Sequence, residues 1–351
     1  MAISKKLFGK IENKDVNSYT ITAGDQSSAQ AYVEILDFGC RIRQIVVPDR
    51  YGFSSNIVLG CDTPQGYFES DNEYFGAVVG RYANRIRNGR YTDSTGTHQL
   101  VQNEGRNHIH GGIEGFHNMI WTCTKTTDDT ITFEATQPDG AGGFPGTLEM
   151  VLTYSFKKYD GKYTLAMELT GKSDKDTLFN PTNHSYFNLN TAQKDVSDHN
   201  LTIFADEYTP IDDEVMPTGE ILPIDGYMDF RKPKSIIGTI QSAWHGGFTE
   251  ITSKKGIDHN FIIKNDAEKT VKIAVLESSE SGRKMDVYSN APGVQLYTGN
   301  HLTPIHKGIC LEPQYFPDSV NATDNPKLAP YPFLKAGDTA TFKVMYDFSI
   351  I

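Results

Sequence analysis

The feature that most constrains this chain is a period-two alternation of apolar and polar residues. In LEMVLTYSF, Leu148, Met150, Leu152, Tyr154 and Phe156 fall on one face while Glu149, Thr153 and Ser155 fall on the other, because successive side chains of an extended chain point to opposite sides. TATFKVMYDFSI repeats the pattern after the turn signal KAGD, with Ala340, Phe342, Val344, Tyr346, Phe348 and Ile350 sharing a face. YTLAMELTG and ITFEAT behave alike, and helical periodicity hardly appears. Turn clusters rich in Gly, Pro, Asp and Asn, such as QPDGAGGFPGT and APGV, separate these runs at the spacing of antiparallel sheets. The class is therefore all-β, and the expected architecture is one large antiparallel β-sandwich with sheets packed face to face. A barrel of stacked sheets satisfies the same pattern. No linker-like or repeated segment divides the chain, so residues 1–351 are expected to form a single domain.

Charge and cysteine usage narrow the function. With 33 basic and 44 acidic side chains the formal charge is −11, which repels phosphate backbones and anionic lipid surfaces, so neither nucleic acid nor membrane is an expected partner. Cys40, Cys61, Cys123 and Cys310 are scattered without CxxC spacing, which signals neither a zinc cluster nor a disulfide framework. They read as reduced, mostly core thiols. The opening MAISKKLFGKIENKD has no signal-peptide core and no stretch is long and apolar enough for a membrane helix, so a cytoplasmic location is expected.

Five stretches hold polar groups that the alternation does not explain. GRYANRIRNGRY places Asn84 and Arg85 within an arginine-rich segment of an acidic chain; a solvated face explains it, and so does a guanidinium fork that grips adjacent sugar hydroxyls. In NEGRNHIHGG, His108 and His110 alternate on a short strand and should point the same way, with Glu114 four residues on. That is half of a cupin-like metal site, but no second half follows. A backbone-satisfied histidine or a neutral histidine in a sugar pocket is the other reading, and no bound metal is expected.

NPTNHSYFNLN sets His184 beside Tyr186 and Phe187, rings of the kind that stack on pyranose faces, with Asn183 and Asn188 as hydroxyl binders or strand-end caps. Asp258 in GIDHNF leads into an apolar run, where an Asx turn explains it equally well. In GICLEPQYFPDS, Glu312 ends the run Ile309–Leu311. Burying a carboxylate raises its pKa, and a carboxyl so poised is a candidate general base; a salt-bridged structural glutamate is the competing account.

GxSxG, a phosphate loop and GxGxxG after a strand are all missing, so covalent catalysis, phosphoryl transfer and hydride transfer lose support. Asp258 and Glu312 could serve glycoside hydrolysis, although that leaves His184 unused. One acid and one base acting on a free sugar use every group: the base takes the anomeric hydroxyl proton, the acid protonates the ring oxygen, the ring opens, the C1–C2 bond rotates, and the roles reverse on closure. A sugar-binding module without turnover and a hexose 6-phosphate epimerase are the rivals, the latter needing an extra basic contact.

GRYANRI, the NEG-N-HGG pattern, NPTNHSYFNL, GIDHNF, GVQLYTGN and LEPQYFPDSVN, in this order, resemble the galactose mutarotase (aldose 1-epimerase) family from about DFGCRI near residue 37 to the final strand. The resemblance implies a large antiparallel β-sandwich of the supersandwich type, no cofactor, and interconversion of the α and β anomers of aldohexoses such as galactose and glucose. It implies Glu312 as general base and His184 as general acid. Asn84, Arg85, His110, Asp258 and Gln295 fall on substrate-contacting positions, and Tyr186 lies in the segment of the acid. His108 is not part of that set. Where the family often continues PDSVN with His-Pro, this chain has Ala322-Thr323, a departure that carries no sugar preference.

Overall fold

The computed structural model describes residues 3–23, 31–69, 73–192, 194–265 and 267–351. Its largest sheet has nine strands, in the order Thr122–Thr126, Thr130–Gln137, Leu148–Tyr159, Lys162–Ser173, Thr339–Ile350, Arg283–Ser289, Val271–Ser278, His199–Ile203 and Lys234–Ser235. The runs that alternate in the sequence are its centre, paired antiparallel from Leu148↔Ser173 through Tyr159↔Lys162 and from Tyr163↔Phe348 through Lys172↔Thr339. Leu148, Met150, Leu152, Tyr154 and Phe156 are buried on one face, as the period requires. The last strand follows suit from Phe342 to Phe348, but Ile350, its final residue, is 46% exposed.

A five-stranded antiparallel sheet, from Ser4–Ile11 to Ser54–Asn56, packs on the large one. Tyr19 meets Phe133 edge-on at 5.3 Å between ring centroids. Arg283 fastens the two sheets. Its buried guanidinium donates to the carbonyls of Val47, Pro48, Phe53 and Leu189 and to Ser55 Oγ, which supplies the partners that a desolvated cation requires.

The third sheet carries the polar residues of interest. Its strands include β1 (Tyr186–Phe187), β2 (Asp258–Ile262), β3 (Gly293–Tyr297) and β4 (Ile309–Gln314), in the spatial order β1-β4-β3-β2. Odd and even positions face opposite ways. Phe261, Val294, Leu296, Ile309 and Leu311 join the apolar core shared with both other sheets, and Phe187 reaches Tyr346 of the large sheet at 5.1 Å. The register sets Asp258, Tyr297 and Cys310 in one row of the opposite face and Asn260, Gln295 and Glu312 in the next. Burial of the first face thus fixes where the second points.

One helix was not legible as a periodic pattern, α1 (Ile236–Gly246). Ser235 caps it by accepting from the Gly238 N–H at 3.1 Å, and Gly247 ends it at φ 70°, the usual chemistry of helix ends. Among the described residues no helix is long and apolar enough to cross a membrane, and all four cysteines are unpaired.

The tightest backbone approach lies beside the polar face. Gly111 has φ 87°, and a β-carbon there would sit 1.7 Å from the Gly80 carbonyl oxygen. Gly111→Ala should therefore destabilise the protein by about 3 kcal/mol or more, read as a lowered midpoint in urea denaturation.

Candidate functional site

A cleft of about 570 Å³ opens over the polar face, lined by Tyr74, Asn84, Arg85, Glu104, His110, His184, Tyr186, Asp258, Tyr297 and Glu312, with Lys254, Lys255 and His301 also on its lining. All but one of the substrate-binding residues expected from the sequence line it. The exception, Gln295, stands beside Glu312 in the register and donates to Asp258 Oδ1 at 2.6 Å.

His184 sits between two short strands, Thr182–Asn183 and β1. Asn183 and Asn188 turn out to be caps. Asn183 Nδ2 donates to the Gly76 carbonyl and its Oδ1 accepts from Ser185, while Asn188 Nδ2 donates to the carbonyls of Lys194 and Lys307. These bonds fix the chain on either side and leave the imidazole to project into the cleft. Tyr74 and Tyr186 stack near-parallel on it, at 5.5 and 5.0 Å with interplanar angles of 23° and 27°. Tyr186 therefore presents one ring face to His184 and also lines the cleft.

His184 Nε2 lies 3.6 Å from Glu312 Oε1. The two groups stand side by side, not across a sugar-sized hollow. Both are buried, at 4% and 2% exposure, and burial dominates their titration. Desolvation pulls the His184 pKa down to about 3. It pushes Glu312 well above the usual carboxylate range, as does the nearby Asp258 charge, while Arg85 draws it back down. Glu312 Oε2 receives no protein hydrogen bond, and the nearby Arg85 cation favours the anion.

Asn84 and His110 both adopt left-handed backbone, at φ 59° and 52°. The turn at His110 separates it from His108, so the two imidazoles do not share a face as strand alternation suggested. His108 Nδ1 bonds the Val101 carbonyl at 2.7 Å and its ring packs edge-on against Phe144, away from the cleft. Glu114 accepts from the Gly142 N–H and forms no site with either histidine. His110 Nδ1 instead accepts from the Asn84 N–H at 3.2 Å, which directs its other nitrogen to the cleft; burial and then the neighbouring His184 hold its pKa well below the ordinary histidine value.

One ligand atom each from His110, His184 and Glu312 lie within 4.8 Å of one another. This trio, and not the His108 pair, is the set that could hold a cation, and it suits sugar hydroxyls equally.

The Arg85 fork is occupied. Its Nε and one terminal nitrogen donate to the two oxygens of Glu104 at 2.6 and 2.7 Å, and the other terminal nitrogen approaches Asp258 Oδ2 at 4.0 Å. Only that last edge remains for a ligand. Glu104 and Tyr74 are the residues that sequence reasoning missed. Glu104 lay within a motif already singled out, and its spacing from Arg85 gives no local cue to their pairing.

Comparison with known proteins adds an independent line. The aldose 1-epimerase family model matches residues 18–347. The chain is 35% identical to the galactose mutarotase of Bos taurus over 363 aligned positions, covering 100% of this chain and 99% of that protein. It is 33% identical to the aldose 1-epimerase of Escherichia coli K12, covering 92% and 93% respectively. The crystal structure of galactose 1-epimerase from Lactobacillus acidophilus superposes with a TM-score of 0.81 at 27% identity, covering 99% of this chain and 98% of that one.

The bidentate pair makes Glu104 the group that orients Arg85. Glu104→Gln should raise KM for sugar about 3- to 30-fold, since a charge-assisted hydrogen bond is lost, as read from initial rates over a range of substrate concentrations.

Proposed function

The chain belongs to the aldose 1-epimerase family, and we propose on that premise that it interconverts the α and β anomers of aldohexoses such as galactose and glucose. The observation that carries this reading is the 3.6 Å spacing of His184 Nε2 and Glu312 Oε1. The anomeric hydroxyl oxygen and the ring oxygen are bonded to the same carbon, so an acid and a base that stand side by side can serve one each.

Buried together, the pair holds one proton and no net charge, the state that desolvation penalises least. Glu312 carries that proton at rest. Passing it to His184 Nε2 yields the carboxylate and imidazolium that the reaction needs, and the Arg85 cation, which draws the Glu312 pKa down, favours the exchange. The carboxylate then takes the O1 proton while Nε2–H protonates the ring oxygen, and the C1–O5 bond breaks to give the open-chain aldehyde. Rotation about C1–C2 exposes the other carbonyl face. In reverse, Glu312 returns a proton to O1 and His184 takes one from O5, so the pair ends as it began. Asn84, Arg85, His110, Tyr186, Asp258 and Gln295 are the proposed substrate-binding set, Tyr186 and Gln295 by holding His184 and Asp258.

The substrate is a small monosaccharide, no cofactor is required, and the whole chain acts as one sandwich domain. Unpaired cysteines suit a reducing compartment, and the cytoplasm is the proposed location.

Polarimetry on freshly dissolved α-galactose tests the assignment. The protein should speed relaxation, and Glu312→Gln and His184→Gln should each slow turnover about 100-fold or more; near-normal rates in either variant would overturn the roles. Dialysis against a chelator should leave the wild-type rate unchanged, whereas a loss restored by a divalent cation would make the histidine–glutamate trio a metal site.

The pH dependence follows from the same pair. A second proton reaches it only near the lowered His184 pKa of about 3, and the shared proton leaves only above the raised Glu312 value. The profile of kcat/KM should thus show no acid limb between about pH 5 and 7, where an ordinary histidine titrates. An acid limb near 6.5 would mean that His184 is not desolvated.

A further inference from the structure

The strand that carries Glu312 also touches the other nitrogen of the same imidazole. Cys310 and Glu312 stand two residues apart on β4 and therefore on one face of the sheet. Glu312 Oε1 is 3.6 Å from His184 Nε2, and Cys310 Sγ is 3.5 Å from His184 Nδ1. Cys310 is wholly buried. Burial also pushes its thiol pKa well above the ordinary value, so the sulfur stays neutral.

Resting on the epimerase reading, we propose that Cys310 is a positioning residue: its sulfur accepts a hydrogen bond from Nδ1–H of His184 and keeps that nitrogen protonated, so that Nε2 alone takes and gives the moving proton. The proton balance of the reaction requires this tautomer. A neutral imidazole with its proton on Nε2 could not accept from Glu312, and if it donated to the ring oxygen it would be left as an anion. With the proton on Nδ1, the ring cycles between neutral and imidazolium at Nε2 while Nδ1–H stays in place.

A thiol suits the position for a physical reason. Sulfur is a weak acceptor and here uncharged, so it orients the ring without trapping a proton on it. A carboxylate at the same point would hold the imidazolium and make it a poor acid. Tyr186 completes the arrangement, with its ring stacked on His184.

The test uses nitrogen NMR on the full chain, with His184 signals assigned by their loss in His184→Gln. Wild-type His184 should show a protonated Nδ1 and a bare Nε2; the opposite tautomer overturns the proposal. Cys310→Val, similar in size but without a polar atom, should lower kcat about tenfold, the worth of one hydrogen bond, with KM within about twofold. Cys310→Ser should recover most of that loss. Unchanged kcat and nitrogen shifts in the valine variant, or a serine variant as slow as valine, also overturn it. Should the valine variant fail to fold, the wild-type spectrum and the serine variant still decide. A wild-type protein that does not accelerate mutarotation would sink the epimerase reading instead, while its tautomer would remain measurable.

Discussion

The site depends on placing a carboxyl and an imidazole together out of water without stranding a charge. Either group ionised alone at this depth would cost several kcal/mol. Held 3.6 Å apart, they need only one proton between them. Each neutral group is then a short transfer from its charged form, which is the property an acid/base pair needs. Asp258 and Arg85 act on this balance from opposite sides, one raising and the other lowering the Glu312 pKa. Arg85 is in turn committed to Glu104, so the residue that tunes Glu312 is itself held in place.

The apolar face of the same sheet keeps this arrangement rigid. Leu311, between Cys310 and Glu312, and Leu296, beside Gln295, are core residues. Burying each stabilises the fold by about 1.5–3 kcal/mol, enough to offset the cost of an unsupported polar atom such as Glu312 Oε2. Slipping β4 by one residue would turn Glu312 into the core and Leu311 into the cleft. The packing that stabilises the sandwich is thus also what aims Glu312.

Much of this was legible in the sequence. The strong alternation from Leu148 to Phe156 maps directly onto the centre of the nine-stranded sheet, because there one face is core and the other is not. Glu312 was conspicuous as a carboxylate ending an apolar run, and its position on β4, buried along its whole length, accounts for that. The misses have a common cause in interactions that sequence neighbours do not encode. His108 and His110 separate because His110 takes φ 52°, a turn that period-two counting cannot register. The Arg85 fork faces Glu104 because Arg85–Ile86 and His108–Ile109 pair as a hairpin-like ladder, which brings the segments together. Helix α1 shows its caps, Ser235 and Gly247, more clearly than its periodicity, since it buries only a narrow apolar stripe.

The two residues of β4 that touch His184 suggest why the proposed acid and base come from different segments while sharing one support. His184 lies in an irregular stretch pinned by Asn183 and Asn188, and such a stretch alone would leave the ring free to rotate about its χ angles. Stacking from Tyr74 and Tyr186 fixes the ring plane but not which edge faces the sugar. Only contacts in the plane of the ring can do that, and Cys310 and Glu312 supply one at each nitrogen. Because both arise from alternate positions of a single strand, their spacing is set by the rise of the β backbone. The geometry of the proposed proton transfer is therefore inherited from the most regular part of the fold.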